Sequence, residues 1–566
     1  MRATALLFCC WVTIGCSGER PHGGADAGGP GARAGAGASS VGGAGASNGG
    51  TAGSAGGSGA VGGASGAASG ASGAASGAPG AGGASGSAGA PGGSNGAGQG
   101  NAGAAQAGSA GASGGGAGGA GNAGGASGAS GAGNGGAGGA PEAAIRKLGE
   151  GALALSGLTV VSYGGYLNGE SFQQDGITSF NGYQYAAFWN TNRHVVLARR
   201  ALPNGEWEKF DFTDYTNTAN DAHNTISLGV APGDGTLHVA FDHHDSDLHY
   251  RRSVPGLLTN PGTTAWSAAS FSSVSAQLVG GQTVRSLTYP RFVTQPGGAR
   301  LLLGARIGAS GSGDELLWEY DTATQAWRSL GKYLDGTGSS VNAYLHGLSY
   351  TPRGTRLHAA WCWRATPDAT TNHDLYYVYS DDHGRSWKSN AGATVATTGT
   401  SFVTRATTAA RVWTINQNRG LINQEHLSVD ANGVVHVLLS HLPDNQADDA
   451  DFARARGKSQ FFHYWRATDG QWSRSALGIP VVGTFRGKLA VAASNNVYAI
   501  LPDLRIAGAS AASRYRSWTL LDSRDAARFF SDPLIDTARL QTDGVLTIFY
   551  PLRNSPNIQA LDYEID

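Results

Sequence analysis

The densest run of residues able to handle protons lies between positions 221 and 252. It reads Asp221-Ala222-His223-Asn224-Thr225, then Phe241-Asp242-His243-His244-Asp245, then Leu248-His249-Tyr250-Arg251-Arg252. Five of the chain's 15 histidines fall between 223 and 249. A lone histidine in a strand is ordinarily a hydrogen-bonded structural residue. Five in so short a span, on adjoining strands, point instead to acid–base chemistry, because imidazole exchanges protons near neutral pH. Strand alternation sets His238, Asp242 and His244 on one side and Leu237, Phe241 and His243 on the other. Leu287-Thr288-Tyr289-Pro290-Arg291 and Leu303-Gly304-Ala305-Arg306 then add a phenol and two cations.

A second polar group comprises Tyr344-Leu345-His346-Gly347-Leu348, His358, Trp361-Cys362-Trp363-Arg364 and Thr371-Asn372-His373-Asp374. Three imidazoles and a thiol (His346, His358, Cys362, His373) could make a tetrahedral structural zinc site. No CxxC or HExxH spacing accompanies them, and packed histidines beside an inert buried cysteine are the competing reading.

The elements that must position these residues are strands. After residue 141 helical periodicity is scarce, and short alternating runs end in turn residues. One recurring signal is a turn followed by tryptophan: Trp207, Trp266, Trp327, Trp387, Trp472 and Trp518, spaced by 59, 61, 60, 85 and 46 residues. Another is a turn followed by an alternating strand, at Gly235–Phe241, Gly354–Trp361, Gly433–Leu439 and Gly544–Tyr550. Four-stranded units recurring at this period predict an all-β, seven-bladed β-propeller. Ser380-Asp381-Asp382-His383-Gly384-Arg385-Ser386-Trp387 matches the Asp-box hairpin of sialidase-like propellers, a structural element that identifies fold and not chemistry.

Composition separates this part from the rest. Of 91 glycines, 50 lie between Pro21 and Ala140, where Asp26 and Arg33 are the charges. Such a stretch cannot offset its ordering entropy by burial, so residues 17–140 are expected to be a disordered Gly/Ala/Ser-rich tether. Gly at every third position is not kept, which excludes collagen. Residues 1–16 read as an export signal, with Arg2, an apolar run from Ala5 to Val12, and Gly15 before Cys16. The pattern is that of a lipoprotein leader with Cys16 as the lipidated residue, with an ordinary cleaved signal peptide as the alternative, and the run is too short for a permanent span. The expected location is the bacterial envelope or the exterior, with membrane contact through the lipid alone. Residues 141–566 form the expected propeller domain of about 426 residues. Its one cysteine, Cys362, excludes an internal disulfide. A net charge of −1 and a pI near 6.9 argue against a nucleic-acid surface. A monomer is expected.

The stretch from about 220 to 475 resembles the BNR-repeat-containing propellers that include the ulvan lyases, which act on uronic-acid-containing polysaccharides. The matching pieces are Asp221–Leu228, Phe241-Asp242-His243-His244, Tyr289-Pro290-Arg291, Tyr344–Leu348, Asn372–Asp382 and His463-Tyr464-Trp465-Arg466. The resemblance implies a catalytic cleft of His223, His243 or His244, Tyr289 and Arg306. Asn224, Arg291, Arg364 and His463 would be substrate contacts. The implied reaction is β-elimination on an acidic polysaccharide, with no cofactor required for the chemistry and zinc at most structural. Removing the proton α to a uronate carboxylate requires that the carboxylate charge be neutralised, a role for Arg306 and a histidine. His223 or Tyr289 would be the base, and Tyr289 the acid for the leaving oxygen. Two alternatives stand beside it. A sialidase-type hydrolase would need an arginine triad, a tyrosine nucleophile and a glutamate. A non-catalytic glycan-binding propeller would use tryptophans such as Trp318, Trp361, Trp363 and Trp465.

Overall fold

The computed structural model describes residues 142–162, 165–170, 175–524, 529 and 531–566. The leader, Cys16 and the tether through residue 140 lie outside the described residues.

Among the described residues, the strands form antiparallel groups in chain order, each built from neighbours in sequence. The first contains Ile177–Phe180, Tyr183–Trp189, Val195–Ala201 and Glu208–Asp211; the second contains Ile226–Ala231, Thr236–Phe241 and Tyr250–Arg252. The third runs from Leu287–Thr294 through Arg300–Ala309 and Ser312–Asp321 to Ala326–Leu334. The fourth begins Asn342–Tyr350, Leu357–Arg364, Asn372–Ser380 and Ser386–Lys388, and one parallel bridge between Gly313 and Asn342 links it to the third. His426–Val429 opens the fifth and Lys488–Val491 the sixth. The last group pairs Leu534–Ile535, Val545–Pro551 and Ile558–Ile565 with Ile145–Ala154, so an early strand completes the final sheet.

The first strands adjoin one another in succession, and Leu534–Ile535 of the last group adjoins Ile177–Phe180 of the first. This closed circuit is a propeller-like arrangement. It covers both faces of most sheets, and the sequence shows why: Thr236–Phe241 and Leu357–Arg364 are buried at every position, as strands enclosed on two sides must be. The periodic tryptophans mark the outer part of five of the groups. Trp327, Trp387 and Trp472 lie in the fourth strands of their groups, while Trp207 and Trp518 immediately precede theirs. Trp387 packs on Tyr333 with ring centroids 4.7 Å apart, in the core shared by the third and fourth groups. In the turn before it, the Asp382 carboxylate accepts from the backbone N–H groups of Arg385 and Ser386 at 3.1 and 2.8 Å. The second group lacks a fourth strand. Around Trp266 the chain forms a short 3₁₀ turn, Ala268–Ser270, and bridges the third strand at Tyr250–Ser275 and the residue after it at Ser253–Phe271.

Trp318, Trp361, Trp363 and Trp465 are all buried. They pack between sheets and offer no exposed sugar platform.

Candidate active site

The second, third and fourth groups bring their proton-handling residues together at one end of their first two strands. His223 precedes the strand Ile226–Ala231, and His244 follows the strand Thr236–Phe241. Tyr289 lies on the first strand of the third group and Arg306 on its second; Tyr344 and Arg364 hold the equivalent places in the fourth.

Local bonding fixes the His223 loop. The Asp221 side chain accepts from the His223 backbone N–H at 2.9 Å, and Thr225 N–H donates to the His223 carbonyl at 2.8 Å. Behind it, Asn224 Nδ2 donates to Asp242 Oδ1 at 2.6 Å, and the Tyr215 hydroxyl donates to the other Asp242 oxygen. Asp242 has a left-handed backbone (φ 64°), uncommon for a residue with a side chain. It breaks the strand alternation there, and the chain returns His244 towards Asp221.

Asp221 holds both imidazoles. His223 Nδ1 and His244 Nδ1 each donate to a different oxygen of its carboxylate, the latter at 2.6 Å. The rings stack with centroids 3.8 Å apart and planes 15° from parallel. Burial alone would raise the Asp221 carboxyl, but the two imidazole bonds outweigh it and hold the group well below the usual range. Burial lowers His223 to about 4 against the opposing pull of Asp221. A neutral ring whose Nδ1 carries the hydrogen has its lone pair on Nε2.

Tyr289 also has a left-handed backbone (φ 58°), at a bulge where pairing steps from Thr288–Arg306 to Arg291–Gly304. Pro290 supplies the reason: without an N–H it cannot complete the ladder, and bulges are where a sheet accommodates it. Its carbonyl accepts from Ser227 Oγ at 2.7 Å. The bulge turns the Tyr289 ring to within 5.5 Å of His223, with the Arg306 guanidinium 5.0 Å from its centroid. Burial, then Tyr344, pushes the phenol above its ordinary range, while Arg306, Arg364 and Arg486 pull the other way. The phenol therefore keeps its proton at neutral pH.

Two guanidinium groups flank the rings. Arg306 donates to Thr288 Oγ1 at 2.9 Å and stands opposite Glu315 in the sheet. Burial raises Glu315 to about 8 despite Arg291 and Arg306, so this carboxyl is largely protonated near neutral pH. Arg364 lies over Tyr344 and donates to neutral acceptors: the Tyr344 hydroxyl at 3.2 Å, Asn372 Oδ1 at 2.8 Å and Asn423 Oδ1 at 2.9 Å. Among the described residues no carboxylate forms an ion pair with it. A buried cation with neutral partners is suited to an anionic ligand.

Several expected site residues stand elsewhere. His243 is fully buried, accepts from the His249 backbone N–H at 2.9 Å and takes no part in the Asp221 group. Asn224 supports the loop through Asp242. Arg291 is interior, beside Glu315 and the Leu345 carbonyl. His463 lies in the core next to the sixth group, bonded to His436 at 3.0 Å and stacked on Trp465. Its burial was not visible from sequence.

The expected zinc ligands do not assemble. Among the described residues, the group whose ligand atoms all lie within 4.8 Å of one another is Asp221, His223 and His244. His358 uses both ring nitrogens, on Tyr377 at 2.8 Å and Thr351 at 2.9 Å. His373 bonds Asp374, His346 accepts from the Glu425 N–H, and burial raises the Cys362 thiol to about 12. They are spread over three neighbouring strands, Asn342–Tyr350, Leu357–Arg364 and Asn372–Ser380, as packing residues. Sequence reasoning passed over Asp221 as a participant, although an acid two residues before a histidine was the signal. Tyr344, Glu315 and Asn423 join the site through pairing across strands that no local spacing records.

A propeller-like all-β chain with an imidazole–phenol–guanidinium cleft is the class this geometry defines. The chain belongs to the BNR repeat-containing family, whose family model matches residues 183–478. It is similar to the long isoform of an ulvan lyase from Alteromonas sp. (strain LOR), 25% identical over 264 residues, covering 38% of this chain and 26% of that protein. The match thus spans about a quarter of that curated relative's length. Among solved structures it is similar to the polysaccharide lyase Uly1 (TM-score 0.55, 16% identity, 74% of this chain and 99% of the other). A PL25 ulvan lyase bound to -[GlcA(1-4)Rha3S]- is also similar (TM-score 0.51, 13% identity, 73% and 95%). At these identities the two structures speak to fold. Among the described residues, no helix is long and apolar enough to cross a membrane.

Proposed function

We propose that this chain is an exported polysaccharide lyase, built on a seven-bladed propeller, that cleaves an acidic, uronate-containing polysaccharide by β-elimination. The observation that carries the reading is the Tyr289 ring held between the His223 imidazole, 5.5 Å away, and the Arg306 guanidinium, 5.0 Å away. Family membership and the similarity to ulvan lyases favour the same chemistry.

In this reading Arg306 faces the uronate carboxylate and neutralises it, making the C5 proton more acidic. His223 Nε2 takes that proton, and Asp221 steadies the imidazolium that forms. The C5–H electrons become the C4–C5 double bond as the C4–O bond breaks. Tyr289, protonated beforehand, delivers its proton to the departing glycosidic oxygen. Arg364 binds a further anionic group of the chain. Tyr289, and not His223, is the acid because its phenol is the group held protonated.

The purified full chain, incubated with uronate polysaccharides, should release products absorbing in the ultraviolet from the new double bond conjugated to the carboxylate. Reducing ends without that absorbance would make it a hydrolase, and binding without either would make it a lectin.

A further inference from the structure

We infer that Asp221, His223 and His244 form a three-ligand site for a borderline divalent transition ion, zinc in the first instance, whose occupancy closes the catalytic cleft. The binding half of this inference is independent of the proposed reaction; the inhibitory half rests on it.

The donor set is two imidazole nitrogens and one carboxylate oxygen, drawn from two loops of one sheet and lying within 4.8 Å of one another. Two nitrogens and one oxygen suit zinc, cobalt or copper, whereas magnesium and calcium prefer all-oxygen cages. Three protein ligands with an open fourth position is also the usual form of an accessible zinc centre. The stacking at 3.8 Å matters because it brings both rings to the same carboxylate with little reorganisation. His244 Nδ1 is 2.6 Å from Asp221 Oδ2. Bonds of about 2.0–2.2 Å around a tetrahedral ion separate donors by roughly 3.3–3.5 Å, so this pair must open by less than about 1 Å. The Asp221 side chain, 28% exposed, can make that shift.

The loops are braced from behind, His223 through the Asn224–Asp242–Tyr215 bonds. An ion would replace the shared N–H hydrogens and tie up the residues proposed to move protons. Arg306 faces the same imidazole and opposes a dication, so affinity should be lower than at a buried structural zinc centre. Among the described residues, the other histidine group of the sequence, around Cys362, does not bring three ligand atoms together and does not compete.

The test uses untagged full-length protein stripped by a chelator. Cobalt is followed by its visible absorption and zinc by calorimetry, and elimination is assayed in parallel. One saturable equivalent is expected, with zinc displacing cobalt. His244→Ala and Asp221→Asn, checked for unchanged thermal melting, should each weaken binding at least tenfold, and Cys362→Ser should leave it unchanged. Elimination should fall with occupancy and return on adding chelator. Absence of saturable binding, or equal binding in the Asp221 and His244 variants, overturns the site. A rise in elimination with occupancy overturns the inhibitory half. Binding that follows the variants in a protein with no elimination activity sustains the metal site and rejects the lyase reading.

Discussion

His223 and His244 stack at 3.8 Å, and each donates its Nδ1 hydrogen to the same residue, Asp221. Two imidazoles on one carboxylate are held in one tautomer, with both Nε2 atoms as the acceptor nitrogens. The site's chemistry therefore depends on a residue that never needs to touch substrate.

Asp221→Asn tests that dependence. An amide offers a single acceptor oxygen, and its NH₂ demands an acceptor nitrogen from one of the rings, forcing the wrong tautomer on it. The expected result is a fall in kcat of about 10²-fold or more with KM nearly unchanged. Steady-state kinetics on a uronate polysaccharide make the measurement. A KM effect with intact kcat would remove Asp221 from its positioning role.

Tyr289→Phe keeps the ring, its packing on Arg306 and the bulge, and deletes the proton. Elimination should drop by about 10²–10⁴-fold, the span usual for a lost general acid. Thermal melting should stay within a few degrees of the parent. Near-normal turnover in this variant would take the acid role away from Tyr289. His223→Ala should be at least as damaging, since it removes the proposed base.

Arg364→Gln separates binding from chemistry. The side chain holds its place through Tyr344, Asn372 and Asn423, all neutral, so glutamine costs little in folding. One charge-assisted hydrogen bond to an anionic ligand is worth about 1.5–3 kcal/mol. KM should rise by about tenfold or more while kcat changes far less. Equal losses in both would make Arg364 part of the reacting centre.

How much of this was legible in the sequence depends on the range of the signal. The tryptophan period and the turn–strand repeats are local, and they fall on the fourth and second strands of their groups, at Trp387 and Leu357–Arg364 for example. The cleft residues His223, His244, Tyr289 and Arg306 were legible as types in order. Which of His243 and His244 turns inward was not, because the decision rests on the left-handed backbone at Asp242, which alternation does not anticipate. His463 and the residues around Cys362 stand away from the cleft for one reason. Both faces of these strands are buried, so polar side chains there meet partners on adjacent strands, as His358 meets Tyr377. Sequence spacing records none of those partners.

Glu315 yields a prediction about stability and pH. Its folded value is raised by burial from the ordinary 4.5 to about 8. Between those two values the folded protein holds a proton that the unfolded chain has released. Stability follows the protons bound in the unfolded state minus those bound in the folded state, and this difference is negative here. The group's contribution is thus fully present below about pH 4.5 and declines as pH rises towards 8. Glu315→Gln imitates the protonated carboxyl at every pH and removes the decline. Calorimetric melting across this range should show the variant gaining on the parent as pH increases, with the smallest advantage at the acid end. A gap that is constant with pH would mean that Glu315 is ionised in the fold and neutralises Arg306.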